Sequence, residues 1–157
     1  MGYNDLNKSW IFPGQASQFV GMGKDLFDNT DIGKKYYNLA NDILEVDIQD
    51  ISFNGPEEKL KITKFTQPAI FIVSSLISHL LMENGHVPGC VAGHSLGEYS
   101  ALTAAGGISF ETGLELVKIR SNSMDKAGIT NPGTMAAIIG LNMDSVVKLA
   151  NSIKTND

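Results

Sequence analysis

The sequence has few of the features that mark secreted, nucleic-acid-binding or membrane proteins. It contains one cysteine, Cys90, so no disulfide can form within the chain, and a lone thiol is typical of a reducing compartment such as the cytosol. It has no run of lysine or arginine and a net charge of −5, which argues against nucleic acid or an anionic membrane as a partner. Residues 1–10 are polar and carry Asp5, unlike a signal peptide.

Long apolar runs are also missing. The longest, residues 68–82, is interrupted by serines and falls short of the ~20 residues that a membrane span requires, so we expect no transmembrane segment. With 43% hydrophobic and 18% charged residues, the 157-residue chain is neither a disordered tail nor a coiled-coil rod. The composition therefore predicts a globular, cytoplasmic protein, with a length that suits a single domain.

Apolar periodicity predicts strands that alternate with helices. Residues 9–12, 88–92 and 134–139 have the pattern of short strands. Helices are expected at residues 32–44, at 69–82 with Thr66 as the cap and Pro68 in the first turn, at 98–105, after Ser109, and at 144–153. Residues 57–62 read as a surface turn or short helix. This order favours an α/β fold with a largely parallel sheet.

The clearest functional motif is Gly93-His94-Ser95-Leu96-Gly97, a G-x-S-x-G nucleophile elbow between a predicted strand and a predicted helix. Glycines on both sides allow close backbone approach around a strained serine. The helix that follows aims its free N–H groups at that serine, where an oxyanion would be stabilised. The motif therefore predicts a nucleophilic Ser95, although the same string also occurs in ordinary turns.

Three other side chains have both a functional and a structural interpretation. Gln15 lies in the loop after the first strand, where it either contributes to an oxyanion hole or faces water. Arg120 lies at the edge of the inward stripe of its helix, so it pairs either with a protein carboxylate or with a carboxylate on the substrate. Gln67 precedes Pro68 and is equally suited to capping a helix or lining a pocket.

A general base is harder to find. The only histidines are His79, His86 and His94, and none has a convincing position. His94 is adjacent to Ser95 on a sharp turn, His79 lies inside a buried helix, and His86 follows the end of that helix. A serine elbow without a base is incomplete, and the apolar strand at 134–139 lacks a return strand. We therefore expect about half of a larger catalytic module.

Taken together, these motifs resemble the malonyl-CoA:acyl-carrier-protein transacylases, the acyltransferase family of fatty-acid and polyketide synthesis. The stretches at residues 12–18, 66–69, 93–100 and 133–137 are similar to the family's opening signature, helix-entry motif, nucleophile elbow and subdomain start. Ala16 stands where the family usually has glycine. The resemblance implies a parallel-sheet α/β-hydrolase-like core at residues 1–130 and the beginning of a small ferredoxin-like subdomain at 131–157.

The resemblance also implies a role for each site residue. Ser95 would be acylated, the backbone N–H groups of Gln15 and Leu96 would bind the oxyanion, and Arg120 would bind the malonyl carboxylate. Gln67 and His94 would line the site. The reaction would pass a malonyl group from malonyl-CoA to the phosphopantetheine thiol of acyl carrier protein, with a coenzyme A thioester as substrate and no bound cofactor or metal. The catalytic histidine would lie beyond Asp157.

Two alternatives remain open at this stage. A serine thioesterase or esterase of the α/β-hydrolase type shares the elbow, although the Gln15 loop and Arg120 disfavour it. An inactive fragment that needs a downstream segment is the other alternative.

Overall fold

The computed structural model describes residues 4–131 and 138–152, with side chains from Lys8 onward. The fold is α/β, rich in helix, with a small parallel sheet. Its elements in chain order are β1 (Asn4–Phe12), α1 (Lys24–Asn29), α2 (Asp31–Leu44), α3 (Ile48–Asn54), α4 (Glu57–Leu60), α5 (Thr63–Glu83), β2 (Val87–Gly93), α6 (Gly97–Ala104), α7 (Phe110–Thr130) and α8 (Met143–Ser152).

In the described part of the chain the sheet consists of β1 and β2 in parallel. The register pairs Phe12 with Gly93, so both strands end at the same edge of the sheet. Helix α6 covers one face, where Ala101 and Ala104 pack against Phe12. Because loops that follow parallel strands meet at the carboxyl edge, the Gln15 loop and the serine turn are brought together there.

The main hydrophobic core lies among the helices rather than on the sheet. Helix α5 is central to it and packs against α2, α3, α4, α6 and α7. Phe71 of α5 is fully buried and stacks on Phe110 of α7, with ring centroids 5.6 Å apart. Tyr37 of α2 is also fully buried, and burial raises the pKa of its hydroxyl group. Leu96 of the serine turn inserts into the same core.

Most of the predicted elements are confirmed, with different boundaries. Ser109 caps α7 as expected, since its Oγ accepts a hydrogen bond from the Thr112 N–H at 3.1 Å. The cap predicted for α5 is wrong: the helix begins at Thr63, and Thr66 lies inside it. The Thr66 hydroxyl donates to the Leu60 carbonyl, and Pro68 is an internal residue of the helix. Helices α1 and α3 were not predicted.

The C-terminal predictions are only partly testable. Residues 132–137, which hold most of the strand expected at 134–139, lie outside the described residues. Ile138 and Ile139 are described and are not in a strand. The predicted last helix corresponds to α8, which has no buried residue.

The expectation that the apolar stretch is too short to span a membrane was based on residues 68–82, but α5 begins earlier, at Thr63. At 21 residues and a mean hydropathy of 1.5, α5 is long and apolar enough to cross a membrane by length and composition. However, 61% of the apolar window is buried inside the structure. A helix in the core of a protein can be equally long and apolar, and α5 packs as such a helix.

The other face of β1 borders an open groove. This groove of about 660 Å³ lies between β1 and α5, and its apolar lining includes Ile11, Ile70 and Val73. Ile11 points outward and is 78% exposed. Cys90 of β2 is exposed as well. Because parallel sheets normally have both faces covered, this two-stranded sheet is unusually open.

Candidate active site

Ser95 lies on the sharp turn between β2 and α6, as the motif predicted. Its φ is +53°, a left-handed conformation that is costly for a residue with a side chain. The turn is held by hydrogen bonds from the His94 N–H to the Phe12 carbonyl and from the Gly97 N–H to the His94 carbonyl, at 3.0 and 2.9 Å. Ser95 is exposed at the carboxyl edge of the sheet. The backbone thus presents its hydroxyl group in the geometry of a nucleophile elbow.

The two motif glycines are required by packing. A Cβ atom at Gly97 would overlap the carbonyl oxygen of Phe12, and one at Gly93 would overlap the backbone of Gly97. The first turn of α6 therefore lies directly against the ends of both strands. This close approach is what brings the Gln15 loop beside the elbow.

Arg120 reaches the serine from α7. Its Nη2 donates to Ser95 Oγ at 2.9 Å, and its Nη1 donates to Gln67 Oε1 at 2.7 Å. Its guanidinium carbon also lies 5.9 Å from the centre of the Tyr99 ring. No carboxylate among the described side chains, residues 8–131 and 138–152, forms an ion pair with Arg120. Of the two partners considered for Arg120, a protein carboxylate is therefore absent from the described structure.

Gln67 links α5 to the other site residues. Its side chain is fully buried. Besides accepting from Arg120, it donates through Nε2 to Gln15 Oε1 at 3.4 Å and to Met124 Sδ at 3.2 Å. The described hydrogen bonds of the Gln67 side chain are to Arg120, Gln15 and Met124, and none is to the backbone at a helix end.

Two backbone N–H groups near Ser95 have no partner among the described residues. Leu96 is the N-cap of α6, and its N–H precedes the first helical hydrogen bonds. The Gln15 N–H is likewise without a described acceptor, while the Gln15 side chain donates to Thr63 Oγ1 at 3.3 Å. Unpaired donors beside a nucleophile have the chemistry of an oxyanion hole.

Ala16 follows Gln15 with a φ of +82°. This is the conformation that glycine adopts without strain and that alanine adopts at a cost. The Ala16 N–H donates to Gln18 Oε1 at 2.9 Å, which helps to hold the loop in this conformation. The structure therefore gives a physical reason for a glycine at this position.

None of the three histidines is hydrogen-bonded to Ser95 Oγ. His79 lies on α5, with its Nε2 3.3 Å from Glu83 and its ring beside Tyr36. His86 is half-buried between α5 and β2. The exposed ring of His94 leans towards Gly14. In the described part of the chain, no three histidine, cysteine or acidic side chains form a group that could hold a metal ion.

Met124 was not among the site residues predicted from the sequence, although it contacts the buried Gln67 side chain. Arg120 and Met124 are four residues apart on α7, so they lie on the same face of the helix. That spacing was the available signal. The shared face is significant because Gln67 bridges the Arg120 and Met124 side chains.

Comparison with known proteins identifies the class to which this site belongs. The family model for the acyl transferase domain matches residues 9–152, and the chain belongs to this family. A curated relative, the malonyl CoA-acyl carrier protein transacylase of Synechocystis sp., is 46% identical over 134 residues, 85% of this chain and 44% of the relative. The Bacillus subtilis transacylase of the same name is 37% identical over 145 residues, 92% of this chain and 46% of the relative.

Solved structures of malonyl transacylases are also similar to this chain. The transacylase of Coxiella burnetii superposes with a TM-score of 0.81 and 34% identity, covering 96% of this chain and 47% of that one. A malonyl-transacylase in complex with its type II PKS acyl-carrier protein superposes with a TM-score of 0.80 and 38% identity, covering 91% of this chain and 47% of that one. The chain thus spans about half the length of the relatives that it matches.

Proposed function

We propose that this chain supplies the nucleophile and the carboxylate-binding side of a malonyl-CoA:acyl carrier protein transacylase. The single observation that carries the proposal is the position of Arg120, whose guanidinium donates to Ser95 Oγ at 2.9 Å. A thioester carbonyl that Ser95 attacks would then have a cation close by. In a malonyl group one methylene separates the thioester carbonyl from the carboxylate, so a short dicarboxylic acyl chain fits this spacing.

The proposed chemistry has two steps. In the first, Ser95 Oγ bonds to the malonyl carbonyl carbon, the bond from that carbon to the sulfur of coenzyme A breaks, and the serine proton ends on the departing thiol. In the second, the phosphopantetheine thiol of acyl carrier protein attacks the same carbon, the ester bond to Oγ breaks, and the thiol proton returns to Ser95. The N–H groups of Leu96 and Gln15 would stabilise the oxyanion formed in each step.

The remaining residues of the site would bind the substrate and orient its acyl group. Arg120 would hold the malonyl carboxylate with two parallel hydrogen bonds. Gln67 would position the guanidinium, and the exposed His94 would line the entrance for the thioester. A coenzyme A thioester is the proposed substrate, with no further cofactor required by these residues.

We also propose that the proton acceptor for Ser95 comes from outside the 157 residues. Two observations support this. None of the chain's three histidines is hydrogen-bonded to Ser95 Oγ, and the relatives are about twice as long as this chain. The open face of β1 and the 660 Å³ groove beside it would give a further part of the module a surface to cover.

The finer fold assignment is part of the same proposal. Residues 1–130 would form the N-terminal portion of an α/β-hydrolase-like core, and residues 131–157 would begin a ferredoxin-like subdomain. The absence of buried residues in α8 fits a helix that needs further partners. The exposed Cys90, in no described disulfide, supports a reducing compartment and hence the cytoplasm.

Labelled malonyl-CoA tests the proposal directly. We expect label on Ser95, none on Ser95→Ala, and transfer of the label to the phosphopantetheine thiol of added carrier protein. The assay should be run with the chain alone and with a polypeptide carrying the downstream half of a relative. Release of free malonate into water without a carrier would indicate a thioesterase. Acylation only in the mixture would support the fragment interpretation.

A further inference from the structure

The Gln67 side chain is the one buried amide that connects the two helices of the site. Its carbonyl end accepts from Arg120 at 2.7 Å, and its amino end donates to Met124 Sδ at 3.2 Å. The only other contact of the amino end is Gln15 Oε1 at 3.4 Å, a longer bond. A fully buried amide with these neighbours has little freedom to exchange its partners for water.

The chemistry of the two ends selects one orientation of this amide. A guanidinium group can only donate hydrogen bonds, and a thioether sulfur can only accept them. If the amide were reversed, its NH₂ group would face the guanidinium and its oxygen would face the sulfur, and both contacts would be lost. Gln15 does not make this selection, because its own amide can rotate to offer either an acceptor or a donor.

We propose that Met124 is a positioning residue. Its sulfur anchors the amino end of the Gln67 amide in the orientation that the Arg120 guanidinium also favours, and the anchored carbonyl end helps to hold the guanidinium beside Ser95 for the substrate carboxylate. The inference rests on the proposed function, because it assigns the purpose of the Arg120 geometry. Met124 acts through Gln67, and none of its described hydrogen bonds is to Ser95 or to Arg120.

The proposal predicts what happens when the sulfur is removed. Met124→Leu keeps an apolar side chain of similar volume but has no acceptor, so the fold is expected to tolerate it. The Gln67 amino group then keeps only its 3.4 Å contact. The Arg120 bond still disfavours a reversed amide, but the amino end is held less firmly, so the position of the carbonyl end is less fixed. Loss of one hydrogen bond of this kind weakens binding about tenfold. The weakening should affect only ligands that use Arg120.

The test measures binding of malonyl-CoA and acetyl-CoA to the full chain in a Ser95→Ala background, which prevents acylation. We expect Met124→Leu to raise the dissociation constant for malonyl-CoA about tenfold and to leave that for acetyl-CoA unchanged. Met82→Leu, at an exposed methionine of α5, is the matched control and should change neither. Equal weakening for both thioesters, or none for either, would overturn the positioning role.

A second measurement separates this inference from the proposed function. The side-chain NH₂ resonances of Gln67 can be followed by ¹⁵N NMR without any ligand. We expect them to shift and broaden in Met124→Leu and to be unchanged in Met82→Leu. Identical resonances in Met124→Leu and the parent would show that the sulfur does not hold the amide, even if malonyl-CoA binds as proposed. Shifted resonances without a preference for malonyl-CoA would instead contradict the proposed function.

Discussion

Arg120 and Ser95 are 25 positions apart in sequence, yet Nη2 of Arg120 donates to Oγ of Ser95 at 2.9 Å. The same guanidinium donates to Gln67, so its two amino groups contact helix α5 and the serine turn at once. Under the proposed function, this contact places the arginine next to the acyl group that Ser95 accepts. Its removal should therefore change which acyl groups are accepted.

The first prediction concerns acyl selectivity. We expect Arg120→Ala to weaken binding of malonyl-CoA by about 30-fold or more, because a charge-assisted pair is worth about 2 kcal/mol or more. Acetyl-CoA has no free carboxylate and should be affected far less. Calorimetric titration of both thioesters against the parent and the variant measures the difference.

Arg120→Lys refines this prediction. A lysine keeps the charge but not the planar fork that reaches Ser95 and Gln67 together. It should recover only part of the lost affinity for malonyl-CoA. An equal loss of malonyl-CoA and acetyl-CoA binding in Arg120→Ala would show that the arginine does not bind the substrate carboxylate.

The second prediction concerns Ala16, which has a φ of +82°. We expect Ala16→Gly to raise the free energy of unfolding by up to about 1 kcal/mol, because glycine adopts this conformation without strain. Urea denaturation of the chain gives the change. Ala127→Gly, at an exposed position of helix α7, is the control and should lower stability by about 1 kcal/mol. If both variants lost stability, the loop conformation at Ala16 would not be strained.

The third prediction concerns the glycines of the elbow. Gly97→Ala should destabilise the protein by about 3 kcal/mol or more, because its methyl group would overlap the Phe12 carbonyl. Gly128→Ala is the matched control, since a Cβ at Gly128 on α7 would meet no atom within 4 Å. That variant should be more stable by about 0.5–1 kcal/mol. Thermal denaturation followed by circular dichroism compares the two, and similar behaviour would contradict the close packing of the elbow.

The fourth prediction concerns Thr66, whose buried hydroxyl donates to the Leu60 carbonyl. Thr66→Val keeps the shape and removes the donor, so we expect a loss of about 1–2 kcal/mol. Thr130→Val makes the same change at an exposed hydroxyl of α7 that bonds the Lys126 carbonyl, and it should be within about 0.5 kcal/mol of neutral. Urea denaturation gives the loss of unfolding free energy in each variant. Equal losses would show that the buried hydrogen bond of Thr66 contributes no more than the exposed one of Thr130.

The sequence was most informative where local rules decide the structure. The elbow around Ser95 was readable because strand, glycine, serine and helix follow each other within a few residues. The cap at Ser109 was readable for the same reason. Thr66 was misplaced because α5 begins without a side-chain cap, and its first residues are held by contacts with the preceding turn.

The site was less readable than the elbow because its contacts join distant parts of the chain. The choice between a protein and a substrate partner for Arg120 depended on how α5 and α7 pack, which no local pattern states. Met124 was missed for the same reason, because its contact with the site is made through Gln67, which is 57 positions away.

The crowding at Gly93 and Gly97 also affects how such motifs are used in genome searches. Both glycines are demanded by backbone contacts, and neither takes part in the chemistry. A descendant that had lost its nucleophile would still need them to fold. Retained glycines are therefore evidence of ancestry, whereas under the proposed function Ser95 together with Arg120 would be the pair that distinguishes a working enzyme from an inactive homologue.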